Sequence, residues 1–135
     1  DFCLSRGLGD VYKRQGFDIA DQAVAGRADR ALASTRRAMQ LGVSPVAVAA
    51  ALAHKVGDIA RFYGVRGNPE QIARDVGMPP WAVKRGIQAA RQWSGDSVSR
   101  AVIIVADLDA AVKGRGGDKE FALEDAVRRI AELAR

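Results

Sequence analysis

The sequence has little of what enzymes use for chemistry and secreted proteins use for crosslinking. Among 135 residues there is one cysteine, Cys3, and one histidine, His54. A lone cysteine cannot form a disulfide within the chain, and neither residue has a second metal ligand near it. No nucleophile stands beside a recognisable general base, and Asp107 and Asp109 are two apart on a helical pattern and so point to different faces. We predict no catalytic residue, no cofactor and no metal.

Long apolar segments are also missing. No run approaches the roughly 20 residues that a membrane-spanning helix needs, and the first residues lack the basic and then apolar layout of a secretory signal. Hydrophobic residues make up 48% of the chain, charged residues 27% and aromatic residues 6%. Alanine, the best helix former, is abundant. The composition therefore predicts one soluble, helical, cytoplasmic domain with no membrane contact.

The first fifteen residues, DFCLSRGLGDVYKRQ, differ from the rest of the chain. They show neither the period of a helix nor that of a strand, and their ending LGDVYKRQ resembles a translated adapter that precedes unrelated truncated sequences. We expect residues 1–15 to be a non-native or disordered leader, and residues 16–135 to form the single domain.

From residue 17 onward the apolar residues repeat at helical spacings of three and four. Serine or asparagine followed by proline, at Ser44-Pro45 and Asn68-Pro69, predicts the start of a third and a fourth helix. The third helix is apolar almost all round over 46–53, which predicts the central helix of the core. Further helices are predicted from 17, 27, 80, about 97 and about 118, with the last reaching 135. The expected fold is a compact all-α bundle of about five to seven helices.

A helix-turn-helix pattern is the most specific local feature of the chain. Ala73, Gly77 and Val83 have the spacing that lets two helices approach, turn and lock together. The second helix would then offer Lys84, Arg85 and Arg91 to DNA, and the net charge of +5 permits such a contact. The same geometry is also a general way to pack two helices, with cations on a solvated face. We favour this structural interpretation, and we expect both tryptophans, Trp81 and Trp93, to fill the core or a groove.

The order of several short motifs resembles the C-terminal domain of bacterial DNA polymerase III delta subunits. The run ADLDAAVKG at 106–114 is followed by GD at 117–118 and FALE at 121–124, in the order and spacing of that family. Upstream, FDIADQAVAG at 17–26, GVSP at 42–45 and ARDVGMPPWAV at 73–83 are similar to family segments in the same order. The resemblance covers residues 17–135.

This resemblance implies an all-α collar-type domain that assembles with the tau/gamma and delta prime subunits of the clamp loader. In the family, AAA+-like modules N-terminal to this domain bind the sliding clamp, and this sequence does not contain them. The resemblance also implies a non-catalytic subunit of the DNA polymerase III holoenzyme, with DNA contact allowed within the complex.

Apolar residues beyond one helix face give the candidates for a subunit interface, because such a surplus must be buried somewhere. These candidates are Ile103, Ile104, Val127 and Ile130. Sequence alone leaves open whether each of them contacts a neighbouring subunit or lies in the core of its own domain.

Overall fold

The computed structural model of the chain describes residues 2–114 and 117–134, and every regular element within these ranges is an α-helix. Seven helices follow one another along the chain. They are α1 (Phe2–Val24), α2 (Ala28–Gln40), α3 (Pro45–Phe62), α4 (Pro69–Val76), α5 (Pro80–Ala90), α6 (Gly95–Lys113) and α7 (Lys119–Leu133). The prediction of an all-helical fold with about five to seven helices is confirmed.

Side-chain caps fix the start of four of these helices. In each case a side-chain oxygen accepts a hydrogen bond of 2.9–3.2 Å from a backbone N–H two or three residues later. The capping residues are Ser44, Asn68, Ser94 and Asp118. A proline follows the first two at a position where its missing N–H costs no helical hydrogen bond. The predicted starts of α3 and α4 are confirmed.

Helices α3 and α7 hold the bundle together. Helix α3 contacts α1, α5, α6 and α7, and α7 contacts α1, α2, α3 and α6. Their most buried side chains are at most 1% exposed, and they are Val48, Leu52, Val56, Leu123, Val127 and Ile130. The prediction of α3 as a central core helix is confirmed, and α7 shares that position.

Helix α5 lies very close to α3 at one point. A Cβ atom placed on Gly86 would lie 2.6 Å from Cε2 of Phe62 and nearer still to Cδ2 of the same ring. Real side-chain contacts begin near 3.4 Å, so only glycine fits against this ring without a shift. Since Phe62 is itself buried, this contact attaches α5, and α4 with it, to the rest of the bundle.

Helix α1 begins well before the point that the sequence predicted. Its backbone is one continuous helix from Phe2 to Val24, whereas we expected residues 1–15 to lie outside the fold and a helix to start near residue 17. The expected boundary falls inside this helix, beside Gly16, which packs so close to α3 that a Cβ atom placed on it would lie 3.4 Å from Cβ of Ala51. Residues 2–15 belong to this helix, and Asp1 lies outside the described residues. The non-native origin of residues 1–15 stays a prediction.

Trp93 ties the connection between α5 and α6 to the end of α1. Its side chain is buried, and Nε1 donates a hydrogen bond of 3.3 Å to the carbonyl oxygen of Val24. That carbonyl belongs to the last turn of α1, where no later helical N–H is available to it. We predicted that both tryptophans fill the core or a groove. Trp93 is buried in the core, and Trp81, although exposed, lines a groove beside α5.

Candidate functional site

The acidic residues and the histidine stand apart or in ordinary ion pairs. Within residues 2–114 and 117–134, no three His, Cys, Asp or Glu side chains come close enough to hold a metal ion. His54 lies on the surface of α3, with Nε2 3.6 Å from Oδ2 of Asp58 and its ring edge-on to Phe17 at 5.7 Å between centroids. No helix in the described part of the chain is long and apolar enough to cross a membrane.

Helix α6 exposes apolar residues on its outer side and packs apolar residues into the bundle. Its inner side buries Ala101, Val105 and Leu108 among others. Four of the exposed apolar residues lie at helical spacing and are here named the α6 stripe: Val102, Ile103, Ala106 and Ala110. Exposed polar residues, among them Arg100, Asp107 and Asp109, flank the stripe. Val102 is 43% exposed and Ile103 is 60% exposed. The stripe is an apolar surface without a partner among the described residues.

The four residues that the sequence proposed for a subunit interface do not share one surface. Ile103 belongs to the α6 stripe, but Ile104 is 5% exposed and Val127 and Ile130 are fully buried. These three side chains are buried within the domain, although Ile104 also lines a groove between α6 and α7. Their part in a subunit interface stays a prediction. The physical reason for the burial of Ile104 is the helical period, which places Ile104 three residues after the buried Ala101 and four before Leu108, on the inner side of α6.

A shallow groove runs beside the α6 stripe, between α6 and α7. Ile103, Ile104 and Leu133 line it together with the charged residues Arg100, Arg129 and Glu132. Apolar residues beside charged ones are common in protein–protein interfaces. The groove therefore extends the apolar surface of the stripe onto α7.

Cations on the outer side of α6 and α7 are paired with carboxylates. Lys113 Nζ lies 2.8 Å from Oδ1 of Asp109, and Arg128 Nη2 lies 2.6 Å from Oδ1 of Asp125. Hydrogen bonds to Asp125 and Glu132 raise the pKa of the Arg128 guanidinium. Exposed pairs of this kind add little stability, but they leave this part of the surface nearly neutral.

The helix-turn-helix pattern is present in the structure as the α4–α5 pair. Gly77 ends α4 in the left-handed conformation, with φ of 73°, and its N–H donates to the carbonyl of Ala73 at 2.9 Å. Ala73 and Val83 are both buried between the two helices and their neighbours. The predicted local geometry is confirmed. Lys84, Arg85 and Arg91 are all exposed, as a solvated face requires.

These three cations do not line one surface. Lys84 and Arg91 line a cleft of about 790 Å³ between α5 and the connection from α3 to α4, and Arg66 of that connection lines the same cleft. Tyr63 and Gln88 complete the polar lining, so that the residues of this basic cleft are Tyr63, Arg66, Lys84, Gln88 and Arg91. None of the described carboxylates lines it.

Arg85 lies on the other flank of α5. It lines a smaller groove between α1, α3 and α5, together with the exposed Trp81 and the acidic Asp21 and Asp58. The opposite charges in this groove offset one another, unlike those of the basic cleft. The groove is therefore lined by charges of both signs, whereas the charged residues of the basic cleft are all positive.

Sequence reasoning missed one residue of the basic cleft, Arg66, and one residue of the α6 stripe, Val102. Arg66 lies in the connection after α3, outside the helix-turn-helix pattern, so no motif grouped it with Lys84 and Arg91. Val102 was not among the predicted interface residues, although it is nearly half exposed. The glycines at 64 and 67, which mark a turn toward α5, were the one signal for the position of Arg66.

Comparison with protein families matches residues 13–130 to the family described as DNA polymerase III delta subunit, C-terminal domain. No curated protein sequence matches the chain. Among solved structures, the Bacillus subtilis DNA clamp loader delta protein is similar to this chain, with a TM-score of 0.70 and 19% sequence identity. The similarity covers 89% of this chain and 36% of that protein, so the chain spans about a third of the length of the structure that it matches. At this identity the likeness shows a shared fold.

Proposed function

Because the chain belongs to the family formed by the C-terminal domains of DNA polymerase III delta subunits, matched over residues 13–130, we propose that it is the assembly domain of a delta subunit. In this proposal it joins the C-terminal domains of the tau/gamma and delta prime subunits in the collar of a cytoplasmic clamp loader. It has no catalytic activity of its own and serves the DNA polymerase III holoenzyme in a structural role. Binding of the sliding clamp is assigned to other parts of a delta subunit.

The α6 stripe is the observation that supports assembly. Val102 and Ile103 expose about half of their side chains at adjacent positions, and Ala106 and Ala110 are small enough for another helix to approach closely. Complete burial of a valine or isoleucine stabilises by about 1.5–3 kcal/mol, so burying the exposed halves of both contributes on the order of 1 kcal/mol each. Exposed apolar residues such as Val102 and Ile103 are typical of the centre of a protein–protein interface. Arg100 and Arg129 line the groove beside them.

A DNA-binding regulator built on α4 and α5 is the alternative function. It would use Lys84, Arg85 and Arg91 from one recognition helix in the major groove of duplex DNA. The basic excess of this region favours contact with nucleic acid, but Arg85 lies on a different flank of α5 from the other two. Family membership and the apolar stripe both support assembly over regulation.

Native mass spectrometry of the chain mixed with the C-terminal domains of tau/gamma and delta prime from a related bacterium tests the proposal. We expect a hetero-complex that contains one copy of this chain. Ile103→Glu places a charge in the middle of the α6 stripe and should abolish the complex without unfolding the chain, because the side chain is 60% exposed.

Phe121→Glu is the matched control for that variant. Phe121 is 67% exposed, belongs to α7 and lies outside the α6 stripe. The substitution therefore removes a similar exposed apolar side chain from another surface. We expect this variant to assemble as the unchanged chain does. Loss of the complex with Phe121→Glu but not with Ile103→Glu would place the interface elsewhere, and failure of the unchanged chain to assemble would refute the assembly role.

A further inference from the structure

The two tryptophans of the chain differ in their surroundings. Trp93 is 5% exposed and its Nε1 donates to the carbonyl oxygen of Val24, whereas Trp81 is 65% exposed. No side-chain hydrogen bond among the described residues includes Trp81. Tryptophan is among the residues that contribute most to binding at protein–protein interfaces. Trp81 is therefore a candidate anchor for a partner.

The groove beside Trp81 has an apolar floor. It lies between α1, α3 and α5 and has a volume of about 330 Å³. The buried Ile59 and Phe62 of α3 and Val24 at the end of α1 supply large apolar side chains to its lining. A volume at the small end of the range for ligand sites suits one or two side chains of a partner. This surface is here named the tryptophan groove and is defined by Val24, Ile59, Phe62, Met78, Trp81 and Arg85.

Four charged residues also line the tryptophan groove, and Arg85 is the one that has no ionic partner among the described residues. Lys55 Nζ lies 2.8 Å from Oδ1 of Asp21, and Oδ2 of Asp58 lies 3.6 Å from Nε2 of His54. No ion pair or side-chain hydrogen bond in the described part of the chain includes Arg85. The groove thus combines an apolar surface with one guanidinium that is free to bind an anion.

The positions of Trp81 and Arg85 indicate the chemistry of the occupant. Arg85 follows Trp81 by four residues on α5, so the two side chains lie on the same flank of the helix, one turn apart. A carboxylate is a natural ligand of a free guanidinium, because the two groups form paired N–H···O hydrogen bonds. A chain of phosphates does not fit, since the carboxylates of Asp21 and Asp58 also line the groove and repel it. The matching occupant is a polypeptide that carries a large apolar side chain and a carboxylate about one helical turn apart.

We propose that the tryptophan groove docks a short acidic and apolar segment of a partner protein, with a large apolar side chain against Trp81 and Phe62 and an aspartate or glutamate on Arg85. This docking is separate from subunit assembly, because the tryptophan groove and the α6 stripe share no residue. It also differs from the helix-turn-helix alternative, in which Arg85 contacts duplex DNA.

Selection from a random peptide library displayed on phage, with the 135-residue chain as the target, tests the proposal. We expect the enriched peptides to carry a large apolar residue with aspartate or glutamate within about four positions of it. The same peptides should not be enriched on the Trp81→Ala variant. A synthetic copy of the best peptide, with any tryptophan replaced by phenylalanine, should shift the fluorescence of Trp81 to shorter wavelengths, because the indole ring leaves water.

Isothermal titration calorimetry of that peptide with variants of the chain measures what each side chain contributes. Trp81→Ala should weaken binding about 30-fold or more, as the loss of an interface hot spot does. Arg85→Gln should weaken binding about 10-fold, as the loss of a hydrogen bond to a charged group does. Both side chains are exposed, so neither substitution should disturb the fold, which circular dichroism checks.

Lys84→Gln is the matched control for the charge. Lys84 precedes Arg85 on α5 but lines the basic cleft on the other flank of the helix. We expect this variant to bind the peptide as the unchanged chain does. Equal losses from Lys84→Gln and Arg85→Gln would mean that the net charge of the chain, rather than a contact in the tryptophan groove, attracts the peptide.

Four other results would overturn the proposal. They are a selection that enriches no peptide, enrichment of basic peptides, equal affinity of the best peptide for Trp81→Ala and the unchanged chain, and displacement of that peptide by duplex DNA. A shift of Trp81 fluorescence with rising concentration of the chain alone would assign the groove to a second copy instead. The assembly proposal fails or stands separately, because Trp81→Ala should still join the hetero-complex and Ile103→Glu should still bind the peptide.

Discussion

Replacing Gly86 by alanine should destabilise the domain, although alanine is the better helix former. The added methyl group would lie 2.6 Å from Cε2 of Phe62, about 0.8 Å inside ordinary contact distance. The ring of Phe62 is buried, so either the ring must turn from its packed position or α5 must shift away from α3. The attachment of the α4–α5 pair, and with it one wall of the basic cleft, therefore depends on the absence of a side chain at this position.

Two opposing effects set the magnitude. Overpacking of a core costs about 1–3 kcal/mol, and alanine in place of a glycine inside a helix gains about 1 kcal/mol. The net loss in the free energy of unfolding is about 0–2 kcal/mol. Gly57 of α3 supplies the matched control, because a Cβ there meets nothing within 4 Å and Gly57→Ala should gain about 0.5–1 kcal/mol. The two variants should differ by about 0.5–3 kcal/mol, or roughly 2–12 °C in unfolding temperature.

Thermal and urea unfolding followed by circular dichroism measure this difference. In the background of Phe62→Leu, which removes the ring, Gly86→Ala should cost less than it does in the unchanged chain, and a double-mutant cycle reports that coupling. If Gly86→Ala raised the unfolding temperature as much as Gly57→Ala does, the close approach of α5 and α3 would not limit this position, and the reasoning would be refuted.

Three further predictions concern stability and are measured by urea unfolding. Trp93→Phe should lose about 1 kcal/mol, because the phenyl ring cannot donate to the Val24 carbonyl, and an unchanged midpoint would contradict a role for that hydrogen bond. Asp118→Ala should lose about 1 kcal/mol through the missing cap of α7, while Asp118→Asn should keep most of the stability. Ile104→Ala should lose about 2–4 kcal/mol, whereas Ile103→Ala should stay within about 0.5 kcal/mol, and equal losses would mean that the burial on α6 is wrongly assigned.

The fold was largely predictable because its local signals are strong. Ser44 and Asn68, each followed by proline, fixed the starts of α3 and α4 within the sequence itself. The resemblance to the delta subunit family is likewise confirmed by the match over 13–130. The predicted start of α1, near residue 17, was wrong for a physical reason. An apolar period indicates where a helix packs against its neighbours, and backbone hydrogen bonds can continue a helix through residues that show no such period.

The candidate site was less predictable, because the same apolar residue types occur on the surface and in the core. Ile103 and Ile104 are neighbours of one residue type, and only the arrangement of α3 and α7 around α6 decides that the first is exposed and the second is buried. The basic cleft posed a different difficulty. Arg66 and Lys84 are eighteen residues apart and share no motif, so their common surface follows from the turn that brings the connection after α3 beside α5.

The central position of α7 has a consequence for the order in which the chain can fold. Helix α7 is translated after the other six described helices, yet it fills the space between α1, α2, α3 and α6. During synthesis, the apolar faces of those four helices therefore stay exposed until α7 has left the ribosome. The α4–α5 pair, by contrast, can form early from local contacts. A chain cut short within α7 would therefore expose the apolar faces of α1, α2, α3 and α6 and would be prone to aggregate.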